Sequence, residues 1–482
     1  MLNLIWFRSD LRTYDNPALA AALSHGSACG VYCLTQQQWD LHSVSPAKRS
    51  LIVHQLRSLA QQLMEINVPL VVLDCRTYCS VPGEISKYAL SVGARSVFFN
   101  HEYEVNEKAC AAQVEQALRA IKVGLSGYHD QCMIQPGKVL NQSGECYKVF
   151  SAFRRTFLKS FFEKSRSIVP KPEAQDPLPI SNDLAALDNI KLDPKWSVLW
   201  PAGEDEAHDR LNHFIENSIS HYHTHRDMPG TQGTSTLSPY LAVGAISTTQ
   251  CMQAALSLNH GELEGGKTGV AVWMNELIWR EFYRHLLVAF PHLCKYKPFK
   301  PETDRLPWKR DTELFEKWKA GKTGYPIVDA AMRQLLETGW MHNRLRMISA
   351  MFLTKHLFID WRLGEQYFMS NLVDGDLASN NGGWQWSAST GVDAVPYFRI
   401  FNPTRQSQRF DPKGDFLRQY LPELAHLNNS AIHQPSAVAA QCANYPLPMV
   451  DHRLAVAETK AWFKSLSEVA PSVGSTQEFS FA

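Results

Sequence analysis

Thirteen consecutive positions, Asp374-Gly375-Asp376-Leu377-Ala378-Ser379-Asn380-Asn381-Gly382-Gly383-Trp384-Gln385-Trp386, hold acids, amides, paired glycines and two indoles. Paired Asn and paired Gly disfavour a helix interior and predict a turn whose backbone closely approaches another group. A flat ring with a polar edge suits this chemistry. Amide side chains pair with its nitrogens and carbonyls, and the indoles offer stacking surface or redox-active π-systems. Taken alone, the same residues also fit a helix-capping turn beside two core tryptophans.

Other segments converge on a similar ligand. Gly233-Thr234-Ser235-Thr236-Leu237-Ser238-Pro239 precedes an expected helix, so its hydroxyls and backbone N–H groups can hold a pyrophosphate. Tyr222 and Arg226 lie four residues apart and can face an anion together. Trp273, Glu276 and Trp279 share a helix face, which sets a carboxyl between two indoles. An aromatic core stripe would explain the indoles, but glutamate is rarely buried without a partner. A nearly dry pocket for a flat polar ligand is expected instead, where the carboxyl pKa rises and a proton becomes available.

Asn343, Arg344 and Met347, close to Trp340, combine an amide, a guanidinium and a polarizable sulfur beside aromatic surface. That combination suits a flipped base or base pair. Across 394–410, Arg399, Arg405 and Arg409 stand without a carboxylate among Tyr397, Phe398 and Phe401. The run suits a phosphate backbone, or a solvated Arg face.

These groups need a scaffold. With 482 residues the chain supports two or three domains, and with a formal charge of +1 any nucleic-acid affinity must come from a local basic face. Short apolar runs near 2–7, 29–34, 69–73 and 96–100 alternate with helical patterns near 47–65, 81–91 and 106–122. This predicts an α/β domain with a doubly wound parallel sheet over 1–130, Ser45-Pro46 opening one of its helices. Ligands of such sheets collect beyond the C-terminal strand ends, where Arg8-Ser9-Asp10 and Asn100-His101-Glu102 fall. The glycine signatures of ordinary dinucleotide and P-loop sites do not occur there.

A connection spans 131–205, rich in Pro, Asp and Ser from about 165 onward. Beyond it, 207–220, 273–290, 326–337, 344–358 and 364–372 carry apolar residues at helical intervals, so 206–482 is expected to be a larger, mostly α-helical domain. Pro326 marks a helix start and Gly339 a helix end, and the tail beyond Pro471 is expected to fray. The 10 cysteines are scattered, and neither Cys29/Cys33, Cys75/Cys79 nor His221/His223/His225 has the partners of a zinc site. A reducing cytosol and no metal are expected. Leu2-Asn3-Leu4-Ile5-Trp6-Phe7 reads as a strand rather than a secretory signal, and no apolar run of about 18 residues is present to span a bilayer.

Together these segments closely resemble the photolyase/cryptochrome family, nearest to its class I bacterial branch that repairs cyclobutane pyrimidine dimers. The resemblance begins at Trp6-Phe7-Arg8-Ser9-Asp10-Leu11-Arg12 and Asp15-Asn16-Pro17-Ala18-Leu19 and extends to about Phe410, with long agreement over 273–284, 322–347 and 374–390. It implies an antenna-binding N-terminal domain and a helical domain that holds FAD, active as FADH⁻, and binds UV-damaged DNA.

By this resemblance Tyr222, Thr234, Ser235, Thr236, Leu237, Ser238, Trp273, Asp374, Gly375 and Asp376 contact the flavin, and Asn380 faces its N5. An amide carbonyl there accepts from a protonated N5 and favours reduced over oxidised flavin. Glu276, Trp279, Asn343, Arg344, Met347 and Trp386 would form the lesion pocket, with Arg226 on a phosphate and Glu276 stabilising the dimer radical anion. Trp308, Trp361 and Trp384 align with the family's electron chain from surface to flavin. Asn106, Glu107, Cys294 and Lys295 match the subset that carries a 5,10-methenyltetrahydrofolate antenna; a deazaflavin is the weaker option.

The resemblance further implies a monomer without an obligate protein partner or membrane, in a bacterial cytoplasm and on nucleoid DNA. Repair of (6-4) photoproducts is disfavoured, because that branch places histidines where this chain has Asn343 and Met347. A blue-light photoreceptor of the cryptochrome type is the alternative. The intact lesion-pocket residues and the expected lack of a long signalling extension stand against it.

Overall fold

The computed structural model describes residues 1–468, so the fraying expected beyond Pro471 falls outside the described residues. Five strands, β1 Leu2–Phe7, β2 Ser27–Leu34, β3 Leu70–Asp74, β4 Ser96–Asn100 and β5 Gly124–Tyr128, form one parallel sheet in the order β3-β2-β1-β4-β5. Both faces are covered, which is why these strands read as continuous apolar runs. Ile5 and Phe7 pack with the helices Pro17–Ser24 and Pro46–Met64, while Leu4 and Trp6 pack with Val81–Ser91 and Val105–Ala120. Ser45 caps the second of these helices by accepting from the Lys48 N–H, as its position predicts.

The strand order reverses between β2 and β4 on either side of β1, the switch point at which such sheets bind ligands. The sequence reading missed β5, since Gly124-Leu125-Ser126-Gly127-Tyr128 is weak in strand formers. Gly127 lets the His101 ring pack directly on this strand: a Cβ there would lie 2.4 Å from His101 Nε2.

The Pro-rich stretch is packed rather than free. Val72 N–H donates to Asp183 O at 2.8 Å and Asp183 N–H to Leu70 O at 3.0 Å, so this stretch covers the open edge of β3. Ahead of it runs the helix Phe150–Lys164. The segment just after β5 is pinned by fully buried Glu281, which accepts from the N–H groups of Met133 and Ile134.

The C-terminal part is helical. Thr268–Ala289 runs through it, and Pro326–Thr338, Asn343–Lys355, Trp361–Met369 and Leu377–Ala388 enclose a second core that includes Trp318, Trp361, Trp384, Met332 and Phe352. Pro326 opens its helix, and Gly339 closes it at φ 68°.

The turn expected over Asn380-Asn381-Gly382-Gly383 does not form. Leu377–Ala388 is an α-helix, capped by Asp376 accepting from the Ser379 N–H. Packing outweighs propensity here. A Cβ on Gly382 would meet the Tyr283 ring at 2.3 Å, so glycine lets this helix touch Thr268–Ala289. Asn381 donates to Glu365 Oε1 at 3.0 Å and accepts from Gln385 at 2.9 Å, which satisfies its buried amide.

Candidate functional site

A cavity of about 490 Å³ gathers most of the residues singled out in the sequence. Tyr222 opens the short helix Tyr222–His225 and Arg226 directly follows it; Thr234, Ser235, Thr236 and Leu237 come from the following loop, Ser238 opens the next helix, and Trp273, Glu276 and Trp279 come from Thr268–Ala289. Asn343 and Met347 project from Asn343–Lys355, while Asp374, Asp376, Asn380, Trp384 and Trp386 come from the helix Leu377–Ala388 and its approach. Thr236 has φ 50°, unusual for a β-branched residue, in the tight loop that supplies four wall positions.

Apart from Arg280, the charges in this wall are paired internally. Arg226 Nη1 donates to Glu276 Oε1 at 2.5 Å, and its guanidinium lies 5.6 Å from the Tyr222 ring centroid. The anion that Tyr222 and Arg226 face is therefore the chain's own carboxylate. Burial pushes the Glu276 carboxyl above its usual pKa, and Arg226 opposes that rise. Arg346 pairs with Asp374 at 2.7 Å and Arg284 with Asp376 at 2.5 Å. Burial alone would raise the Asp376 pKa, yet Arg284 and Arg280 hold it below the usual carboxylate range.

Three buried polar atoms remain without a partner on residues of this wall, Arg280 Nη1, Asp374 Oδ1 and Trp384 Nε1. An orphaned guanidinium N–H and an orphaned carboxylate oxygen are costly unless a ligand meets them. Together they fit a ligand with both anionic and N–H groups, as FAD has. Asn380 Nδ2 donates to Glu365 O at 3.0 Å, which orients the side chain and leaves its carbonyl oxygen to offer.

A second cavity, about 450 Å³, lies beyond the C-terminal ends of β1 and β4 and includes Arg8, Ser9 and Glu102 in its wall. Arg8 pairs with Glu102 at 2.7 Å, and Ser9 Oγ donates to Glu102 at 2.5 Å. Asn106, Glu107, Cys294 and Lys295 all line this space. Burial, followed by repulsion from Glu107, lifts Glu104 to about 7; burial followed by Glu102 raises Glu107. Glu107 accepts from Tyr78 Oη at 3.0 Å. Crowded acids of this kind suit a ligand edge rich in N–H donors, such as a pterin. Asp376 lines both cavities.

Four of the expected residues lie elsewhere. Gly375 lines the second cavity, where its carbonyl accepts from Lys48 Nζ at 2.6 Å, and not the first. Arg344 is outside the larger cavity, paired with Asp227 at 2.8 Å and set over the Phe410 ring at 4.5 Å. Trp361 is fully buried, and half-buried Trp308 stacks on Phe358 at 4.8 Å; neither lines the cavity. Trp384, 2% exposed, stands edge-on to Phe368 at 4.9 Å. Arg399, Arg405 and Arg409 are exposed. The sequence reading missed Arg280, Arg284, Asp227 and Phe150. Arg280 and Arg284 carried a usable signal, because each follows the previous charged position of the Glu276 helix face by one turn.

Residues 273–465 match the family model for the FAD binding domain of DNA photolyase, and residues 3–175 match the model for DNA photolyase. The deoxyribodipyrimidine photo-lyase of Escherichia coli K12 is 44% identical over 468 residues, spanning 96% of this chain and 98% of that protein. The protein of the same name from Vibrio cholerae is 44% identical over 461 residues, 94% of this chain and 97% of its own. Among solved structures, a bacterial class III photolyase from Agrobacterium tumefaciens superposes with a TM-score of 0.85 at 34% identity, covering 97% of this chain and 98% of its own. A Synechocystis cryptochrome gives 0.84 at 27% identity, covering 96% and 99%. This chain belongs to the DNA photolyase family. Among the described residues, no helix is long and apolar enough to cross a membrane.

Proposed function

We propose that this protein is a light-driven deoxyribodipyrimidine photo-lyase that splits cyclobutane pyrimidine dimers in UV-damaged DNA. One observation carries the reading: a single cavity holds the flavin-side residues Tyr222, Trp273, Asp374, Asp376 and Asn380 beside the lesion-side residues Glu276, Trp279, Asn343, Met347 and Trp386. Reduced FAD, when bound and excited by light, supplies one electron to the dimer and recovers it after the ring opens.

The chain's own residues bind, orient and exclude water. Trp279 and Trp386 offer stacking surface to a nucleotide taken out of the duplex, as photolyases do as a class. Glu276, its pKa raised by burial, can hold a proton toward the base carbonyls. Asn380, oriented by the Glu365 carbonyl, would offer its own carbonyl oxygen to a bound flavin. Arg399, Arg405 and Arg409 supply exposed positive charge for the phosphate backbone. Trp384 lines the cavity, Trp361 is buried and Trp308 is half-buried, a gradation of exposure that supports an electron chain. In the second cavity, Asn106, Glu107, Cys294 and Lys295 would hold 5,10-methenyltetrahydrofolate.

The reading takes 1–130 as the antenna domain, 131–205 as the connection and 206–482 as the flavin and DNA domain, in a monomer acting on the nucleoid in the cytoplasm. Reduced, FAD-loaded protein under blue light should restore thymine in UV-irradiated DNA. Failure to do so, with flavin bound and reducible, would leave the photoreceptor reading.

A further inference from the structure

Phe150, first residue of the helix Phe150–Lys164, lies flat on Trp279 with ring centroids 3.6 Å apart and planes 7° from parallel. It covers one face of an indole whose remaining surface contributes to the larger cavity. Aromatic pairs left to themselves prefer offset or edge-to-face arrangements, so the surroundings impose this close sandwich. Phe282 meets both rings edge-on, Phe150 at 5.8 Å and 68° and Trp279 at 5.7 Å and 74°. The backbone N–H of Phe150 donates to Asp393 Oδ2 at 3.1 Å. One turn further on, Arg154 Nε donates to Asn275 Oδ1 at 2.5 Å and Nη1 pairs with Glu264 at 3.0 Å. The start of this helix is thus tied to the helix that carries Trp279 and to the segment around Asp393.

We propose that Phe150 is a positioning residue for lesion recognition: it clamps the Trp279 indole in one plane, so that an extruded pyrimidine meets a surface already rigid. The proposal rests on reading Trp279 as a stacking surface for the lesion. Both side chains are only partly buried, and an unclamped indole there would lose rotational freedom when a base stacks on it. Holding it beforehand removes that cost from binding. Core packing alone would ask only for apolar volume at position 150, whereas a clamp asks for a flat ring.

The test is equilibrium binding of FAD-loaded protein to UV-irradiated and undamaged duplexes of the same sequence. Phe150→Leu, which keeps apolar bulk but not the ring, should lower the preference for damaged DNA about two- to tenfold, the worth of one aromatic pair. Phe150→Tyr should restore it. In a Trp279→Ala background, Phe150→Leu should cost nothing more, because its effect passes through the indole. Parental preference in Phe150→Leu, or an equal loss with and without Trp279, would overturn the clamp while leaving the lesion pocket intact. If Trp279→Ala itself keeps the parental preference, the stacking reading of Trp279 fails and the clamp fails with it.

Discussion

Arg226 and Glu276 are partners: the guanidinium donates to the carboxylate at 2.5 Å, although one was expected on a phosphate and the other on the lesion. The pair leaves further Arg226 N–H donors and the second Glu276 oxygen for other partners. Burial raises the Glu276 pKa and the neighbouring cation lowers it. Replacing Arg226 by Met should let the pKa climb further, so that Glu276 keeps its proton to higher pH. The alkaline fall in repair yield per absorbed photon, measured on saturating DNA, should move to higher pH. An unchanged profile would show that Glu276 does not titrate in repair.

Redox priming and repair use different donors. Phenylalanine keeps packing but is far harder to oxidise, so Trp308→Phe should abolish flavin photoreduction in solution and preserve repair by chemically reduced protein. Glu276→Ala should do the reverse, with normal photoreduction and a lower repair yield. Flash photolysis with repair assays on pre-reduced protein decides it. Photoreduction at the parental rate in Trp308→Phe would exclude it from the electron chain.

The antenna residues Asn106, Glu107, Cys294 and Lys295 line the second cavity only, although Gly375 and Asp376 of the expected flavin contacts border it too. Glu107→Ala or Lys295→Ala should remove the folate absorption band in the near ultraviolet while FAD content and repair per photon absorbed by the flavin persist. Loss of FAD in either variant would contradict the two-site assignment.

Arg344 is held by Asp227 at 2.8 Å. Asp227→Asn should release that cation and tighten damaged-DNA binding at low salt, whereas Arg344→Ala should weaken binding and reduce the salt slope by about 1. Titrations across a range of salt concentrations test both signs. Identical affinities and slopes in all three proteins would remove Arg344 from the DNA surface.

Glu365 positions Asn380 through its backbone oxygen and Asn381 through its carboxyl, and burial lifts its pKa to about 7. An acid whose folded pKa exceeds its unfolded value binds more protons when folded. Its stabilising contribution is complete below about pH 4.5 and is lost as pH rises through about 7, on the order of 3 kcal/mol in all. Glu365→Gln keeps the shape without the charge. Its thermal midpoint relative to the parent should rise between about pH 5 and pH 8.5; a difference independent of pH would show that the carboxyl is not protonated in the folded state.

Four of the five strands and the main helices were legible because they rest on local periodicity, and β1 with its alternating Leu4/Trp6 and Ile5/Phe7 faces needs nothing else. The residue types of the site were legible too, since Trp273, Glu276 and Trp279 recur at helical spacing on one segment. Tertiary structure alone decided that Asn380-Asn381-Gly382-Gly383 is helical, because the close Tyr283 ring and the Glu365 carboxyl that favour it come from other helices. It also decided where the charges and rings go. Arg226 meets Glu276, Arg344 meets Asp227 and Phe150 covers Trp279 across long stretches of chain. Coulomb attraction and stacking depend on distance in space, and sequence spacing encodes that distance only within a helix or strand.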